Sequence, residues 1–206
     1  MTITIVDYGV GNLGSIQNML KKLGAQSEIA SDANAIERAT KIILPGVGAF
    51  DAGMKQLNQS GLRSSLDTAV LQKRVPVVGI CLGMQLMTEG SEEGTLPGLG
   101  WVPAKTIRFV PSPNETMKIP HMGWSVVTKA KQSPSVDFLI DESRFYFVHS
   151  YHVNCSNRGD VLLTAQYGSA RFDAAFEREN ILGFQFHPEK SHRFGMTLFK
   201  AFLEKY

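Results

Sequence analysis

The chain has 206 residues, of which 43% are hydrophobic and 19 are glycine, and its formal net charge is +2. That length suffices to bury one sheet with helices on both faces, so a single domain over residues 1–206 is expected. The near-neutral balance, with lysines and arginines spread along the chain, gives no reason to expect nucleic acid or an anionic membrane, and no stretch approaches the length of a membrane span.

The first half alternates between strand and helix patterns. Ile3 to Asp7 reads as a strand, beginning so early that no room is expected for a signal peptide. Ser15 to Leu23 reads as a helix with Ile16, Met19, Leu20 and Leu23 on one face, stopped by Gly24. Short strands follow at Ser27–Ala30 and Lys41–Leu44, then helices carrying Met54, Leu57 and Leu62, and Leu66, Ala69 and Leu71. Val77 to Ile80 is the next strand. This order predicts a doubly wound, mostly parallel α/β sheet with helices on both faces.

After residue 100 the pattern changes to strands joined by short turns: Lys105–Phe109, Phe145–Val148, Val161–Gln166, Ala174–Arg178 and Ile181–Phe186. An antiparallel extension is expected there. Pro111 to Glu115 reads as an exposed turn, and Phe194 to Tyr206 as a closing helix with Leu198, Phe199, Phe202 and Leu203 on its apolar face. Two cysteines, Cys81 and Cys155, are too few for a disulfide framework; a reducing cytoplasm is the expected compartment.

Cys81 lies in Gly79-Ile-Cys-Leu-Gly83, between a buried-strand pattern and a helix-like one. Glycines two residues to either side suit a sharp strand-to-helix turn that holds the thiol at the tip of the sheet. The first backbone N–H groups of the helix then favour negative charge developing beside the sulfur. A small buried hydrophobe is the alternative reading of such a cysteine. His187 tips the balance. It ends the strand Ile181–Phe186 and precedes Pro188-Glu189, so a base and the carboxylate that orients it lie two residues apart. In an open α/β sheet, ligands bind beyond the carboxyl ends of the strands, where Asp7, Pro45, Cys81 and His187 all fall.

Two further loops bear on function. Pro45-Gly-Val-Gly-Ala-Phe50 follows the third strand at the level of the cysteine turn and suits an N–H donor for an oxyanion, or a plain turn. Gly9-Val-Gly-Asn-Leu-Gly14 is a literal dinucleotide fingerprint between a strand and a helix, with Glu28 and Asp32 near the end of the next strand. Against that rival, a dehydrogenase needs a second region for substrate, and Cys81 and His187 would be left unexplained. Of the five histidines, His149 and His152 are three apart, yet no metal-binding framework accompanies them, so neither a metal nor a cofactor is expected.

Taken together, these motifs resemble the triad-type, class I glutamine amidotransferases, whose fold is flavodoxin-like. They look most like the glutaminase subunits of imidazole glycerol phosphate synthase in histidine biosynthesis. The resemblance runs over essentially the whole chain: Asp7-Tyr-Gly-Val-Gly-Asn-Leu13, Pro45 to Phe50, Gly79 to Gln85, Pro120-His-Met-Gly-Trp124, Tyr146-Phe-Val-His-Ser-Tyr151 and Gly183-Phe-Gln-Phe-His-Pro-Glu-Lys-Ser191. Gly-x-Cys-x-Gly with His-Pro-Glu marks the superfamily alone, whereas Pro-Gly-Val-Gly with His-Met-Gly-Trp is more specific. The glutaminase of pyridoxal phosphate synthase, similar in size, has a Gly-Gly-Glu-Ser-Thr loop where this chain has Gly46 to Phe50.

The resemblance implies a triad of Cys81, His187 and Glu189, with an oxyanion hole from the N–H of Leu82 and the Val47–Gly48 peptide. It implies a glutamine pocket lined by Gln85, Glu93, His149, Ser150 and Tyr151. It also implies a heterodimer with a (β/α)₈ cyclase that receives the ammonia through a tunnel, and Asn12, Met122, Trp124 and Tyr146 are the expected interface residues. A glutaminase subunit of another amidotransferase, a free-standing cysteine hydrolase such as a peptidase, and a dinucleotide-binding module remain as alternatives.

Overall fold

The computed structural model describes residues 2–113 and 115–206. Its backbone is a mixed sheet whose first half is parallel. Strands β1 (Thr2–Val6), β2 (Gln26–Ala30), β3 (Lys41–Leu44) and β4 (Val77–Ile80) are joined by helices α1 (Leu13–Lys22), α2 (Ala33–Arg38), α3 (Phe50–Gln59) and α4 (Arg63–Asp67). Helix α4 runs on into a wider π turn, Thr68–Gln72, and α5 (Leu82–Leu86) follows β4 directly. The second half supplies β5 (Ala104–Arg108), β6 (His121–Lys129), β7 (Arg144–His149), β8 (Tyr151–Cys155), β9 (Val161–Tyr167), β10 (Ala170–Arg178), β11 (Ile181–Phe184) and α6 (His192–Lys205).

The strand order is β2-β1-β3-β4-β11-β10-β9-β6-β7, with the β5–β8 ribbon attached through β10. The last strand in sequence, β11, inserts beside β4 in parallel, and from there the sheet turns antiparallel. Strands β3, β4 and β11 are buried at every position, as central strands covered on both faces must be. Alternation then sorts their side chains. Ile3, Ile5, Ile43, Val78 and Phe184 meet α1 and α6 through Ile16, Leu20, Leu198 and Phe202. Val6, Ile42, Leu44 and Val77 meet the opposite helices through Ile36, Met54, Leu57, Leu66 and Met84. Each such aliphatic or phenyl side chain taken fully out of water contributes roughly 1.5–3 kcal/mol before entropy is counted. Lys41, 1% exposed, extends its ammonium to the carbonyl of Leu203 at 2.9 Å and so ties the end of α6 to β3.

Several elements differ from the sequence expectations. Leu62 lies beyond α3 and caps α4 instead. Helix α2 appears where no element was expected, started by Asp32, whose carboxylate accepts from Ala35 N at 2.9 Å. Glu28 accepts from the hydroxyl of Thr4. Both carboxylates that a ribose would have needed are therefore used by the fold, and Gly11 of the glycine turn faces the ring of Pro45. Strand β6 was also not foreseen. Of the expected turn at Pro111 to Glu115, Asn114 lies outside the described residues.

Candidate active site

Parallel pairing of β4 with β11 is what brings the distant motifs together. The register sets Gly183 beside Gly79 and Phe184 beside Ile80, so the chain beyond β11 runs past Cys81. Cys81 N–H donates to Phe184 O at 2.7 Å, placing Gln185 next to the cysteine and His187 two residues farther along. Cys81 itself sits at φ 53°, ψ −110°, a region L-residues rarely occupy, and caps α5. Close packing fixes this elbow: a β-carbon on Gly83 would lie 1.9 Å from Leu44 O, so α5 can approach β3 only with glycine there.

His187 is 2% exposed, and its N–H donates to Tyr146 O at 2.9 Å. Nδ1 lies 2.7 Å from Glu189 Oε1, with the carboxylate side chain only 3% exposed. Such a pair fixes the tautomer, with Nδ1 facing the acid and Nε2 turned away from it. Nε2 makes no well-formed hydrogen bond among the described residues, and Cys81 is near enough to hold its proton through a loose hydrogen bond as well as by charge. Burial pulls the imidazole down, but the sulfur and the carboxylate together outweigh it and hold the ring up to about 9. The imidazolium is thereby favoured at neutral pH. Ser191, unrecognised in the sequence, clamps this loop: its hydroxyl donates to His187 O at 2.6 Å and accepts from Tyr146 N at 3.0 Å.

Beside the sulfur is a cavity of about 280 Å³ lined by Val47, Gly48, Cys81, Leu82, Gln85, Glu93, Pro120, Val148, His149, Ser150, Tyr151 and His187. Every residue expected for the oxyanion hole and the pocket borders it, and Glu189 stands behind His187. The volume is at the small end for ligand pockets. Glu93 accepts from Phe50 N at 2.8 Å, so the loop carrying it is tied to the first turn of α3. Asp51 returns the clasp, accepting from the backbone of Thr95 at 2.9 Å and of Leu96 at 3.0 Å.

The loop between β3 and α3 is anchored at both ends and free between them. Tyr8 Oη donates to Pro45 O at 2.6 Å, and a β-carbon on Gly46 would press to 2.8 Å from Gly83 N. Burial, aided by the nearby Cys81, pushes the Tyr8 phenol well above its ordinary range, so it stays a donor. Val47 is 45% exposed and Gly48 has φ 103°; neither makes a backbone hydrogen bond among the described residues.

Of the expected interface residues, Met122 and Trp124 are exposed on one side of β6, and Tyr146 pairs with Trp124 across β7. Val126 continues the row. Trp124 stacks on His192, and Lys190 lies over the Tyr146 ring at 5.9 Å. Asn12 caps α1, accepting from Ser15 N.

The class-I glutamine amidotransferase family model matches residues 4–206. The chain is 50% identical over 202 residues to imidazole glycerol phosphate synthase subunit HisH 2 of Pseudomonas aeruginosa, covering 98% of each. It is also 50% identical over 203 residues to subunit HisH 2 of Methanococcus maripaludis, covering 98% of this chain and 99% of that one. Among solved structures, PurLQS from Thermotoga maritima shares the fold at a TM-score of 0.73 with 16% identity, over 99% of this chain and 98% of that one. From a cysteine elbow backed by histidine and glutamate, and from relatives matched end to end, the chain belongs to the class-I glutamine amidotransferase family.

Proposed function

We propose that this chain is the glutaminase subunit of an imidazole glycerol phosphate synthase, one amidotransferase domain that hydrolyses L-glutamine and passes the ammonia to a cyclase subunit in the cytoplasm. The observation that carries the reading is the meeting, around one cavity, of a strained cysteine turn, an imidazole whose Nε2 makes no well-formed hydrogen bond and a buried carboxylate behind it.

The chemistry follows from these positions. Cys81 gives its proton to His187 Nε2 as its sulfur adds to the side-chain carboxamide carbon of glutamine, and the carbonyl π electrons move onto oxygen. The N–H groups of Leu82 and the Val47–Gly48 peptide stabilise that oxyanion; removing one such donor typically costs about 3–4 kcal/mol of barrier. As the tetrahedral centre collapses, His187 gives its Nε2 proton to the departing nitrogen, so the C–N bond breaks and ammonia leaves a thioester. His187 then takes a proton from water. The hydroxide equivalent adds to the thioester, and glutamate departs as the sulfur is regenerated. Glu189 holds the ring through both halves. Glu93 would receive the substrate ammonium, and the backbone of Ser150 and Tyr151 the rest of the amino-acid head.

Released into water, ammonia is protonated and lost as a nucleophile. The apolar row Met122, Trp124 and Val126 supports a partner docked there, because Val148 and Pro120 border the cavity and Val148 pairs directly with Met122. A (β/α)₈ cyclase fits this place. The Val47–Gly48 peptide, held only at its flanks, would gain its productive orientation on docking, leaving the isolated subunit almost inactive. The test is glutamate release by wild type and Cys81→Ala, each alone and mixed with a cyclase subunit. The expected result is strong activation of wild type and none of the variant. High turnover by the isolated wild type would overturn the gating; turnover by the variant would overturn the site.

A further inference from the structure

Around the sulfur runs a hydrogen-bonded chain that the mechanism above leaves unused. Gln185 is fully buried, and its Nε2 lies 3.8 Å from Cys81 Sγ. Its Oε1 accepts from Gln85 Nε2 at 3.1 Å, and Gln85 Nε2 also donates to Tyr151 O at 3.1 Å. From the other side His149 Nδ1 meets the same carbonyl at 2.8 Å. His149 Nε2 is 3.0 Å from His121 Nδ1, and His121 Nε2 is 2.9 Å from the hydroxyl of Ser125.

One atom sets the direction of every bond in this chain. A carbonyl oxygen can only accept, so Tyr151 O requires a proton on His149 Nδ1 and the amide nitrogen of Gln85 on its other side. In a neutral ring His149 Nε2 is then an acceptor, so His121 must carry its proton on Nδ1. His121 Nε2 in turn accepts from Ser125. In the other direction, both protons of the Gln85 amide are committed, one to Tyr151 O and one to Gln185 Oε1. Flipping Gln185 would set two amide nitrogens against each other, so its N–H must face the sulfur. Burial lowers both rings, His121 to about 4, which keeps them neutral as this arrangement demands.

Building on the proposed glutaminase site, we infer that Gln185 is a catalytic residue that donates a hydrogen bond to the Cys81 sulfur, and that His121, His149 and Gln85 are the positioning residues that lock its amide in that orientation. The adjacency is built by the sheet: β4–β11 register sets Gln185 next to Cys81, and the side chain is fully buried. A donor fixed before substrate arrives stabilises sulfur as it carries charge, on attack and again on release from the thioester. A 3.8 Å contact is a weak bond to a neutral thiol and strengthens when the sulfur is charged.

The experiment uses the complex with the cyclase and follows alkylation of Cys81 by iodoacetamide at neutral pH beside kcat and KM for glutamine. Gln185→Leu should slow alkylation about tenfold, the factor that corresponds to about 1.4 kcal/mol, and lower kcat at least as much while KM moves less than about twofold. Gln185→Met, equal in length and without the amide, should do the same, and thermal melting shows that each variant is folded. At His149, asparagine can still present an N–H to Tyr151 O, so His149→Asn should lose clearly less alkylation rate than His149→Leu, which loses about as much as Gln185→Leu. Folded Gln185 variants that alkylate at the wild-type rate would overturn the inference, as would His149→Leu and His149→Asn behaving alike. Cys81→Ala is the separate control: glutaminase activity in that variant would sink the site itself, whereas its loss beside normal Gln185 variants would sink only the donor.

Discussion

Replacing Glu189 with glutamine keeps an acceptor beside His187 Nδ1 and removes its charge, and the consequence depends on pH in a defined direction. In the folded protein the His187 ring is raised from 6.5 to about 9. At 1.36 kcal/mol per pH unit, that span corresponds to roughly 3 kcal/mol for all the groups that hold the proton. The sulfur shares in the holding, so the carboxylate accounts for about 1–2 kcal/mol of it, the desolvation of a buried charge keeping the figure low. Below pH 6.5 the ring is protonated in both folded and unfolded chains, and the attraction is fully present. As pH rises through about 9 the folded ring loses its proton, and the stabilisation goes with it. Urea denaturation of wild type and Glu189→Gln should therefore differ by about 1–2 kcal/mol near pH 6 and converge toward about pH 10. In the proposed complex with a cyclase, the alkaline limb of kcat/KM should fall near pH 9 for wild type and at lower pH for the variant. A stability gap that stays constant over this range would mean that Glu189 acts through packing alone, and the electrostatic account would be refuted.

Two other substitutions probe the frame around the thiol. Gly83→Ala drives a β-carbon to 1.9 Å from Leu44 O, a backbone atom with no freedom to swing aside, so β3 and α5 must separate. The expected cost is about 3 kcal/mol or more in denaturant unfolding, with glutaminase activity falling further because the Leu82 N–H moves; an unchanged midpoint would contradict the packing. Asp51→Ala releases the backbone of Thr95 and Leu96 and loosens the loop that carries Glu93. Steady-state kinetics of the complex should show KM for glutamine raised about three- to tenfold with kcat within about twofold, and a pure kcat effect would place Asp51 in another role.

How much of this was legible in the sequence follows from how local each signal is. The elbow could be read because its cause is local: Gly79 and Gly83 flank the cysteine at the spacing the turn requires. His187 and Glu189 could be read because they are two residues apart at a strand end. Strand β6 escaped because its alternation is inverted. The side turned inward carries His121, Gly123 and Ser125, while Met122, Trp124 and Val126 face outward. A pattern with polar groups inside and apolar ones outside does not look like a half-buried strand, and it is also what an unoccupied docking face must look like. Helix α2 escaped because six residues give too little periodicity, although Asp32 was available as a cap.

The network around Tyr151 O shows the limit more sharply. Gln185 sits between two buried phenylalanines and reads as one more strand residue, and its partner Gln85 is a hundred residues away in the chain. No window along the sequence contains both. What joins them is the insertion of β11 beside β4, a fact of topology that propensity and periodicity do not encode. The same insertion brings the proposed triad together, since Cys81 follows one of these strands and His187 follows the other. The geometry of the proposed site and the interior hydrogen bonding in this protein therefore have one cause. A substitution that shifts the β4–β11 register by one residue would turn Gln185 and His187 away from the sulfur together.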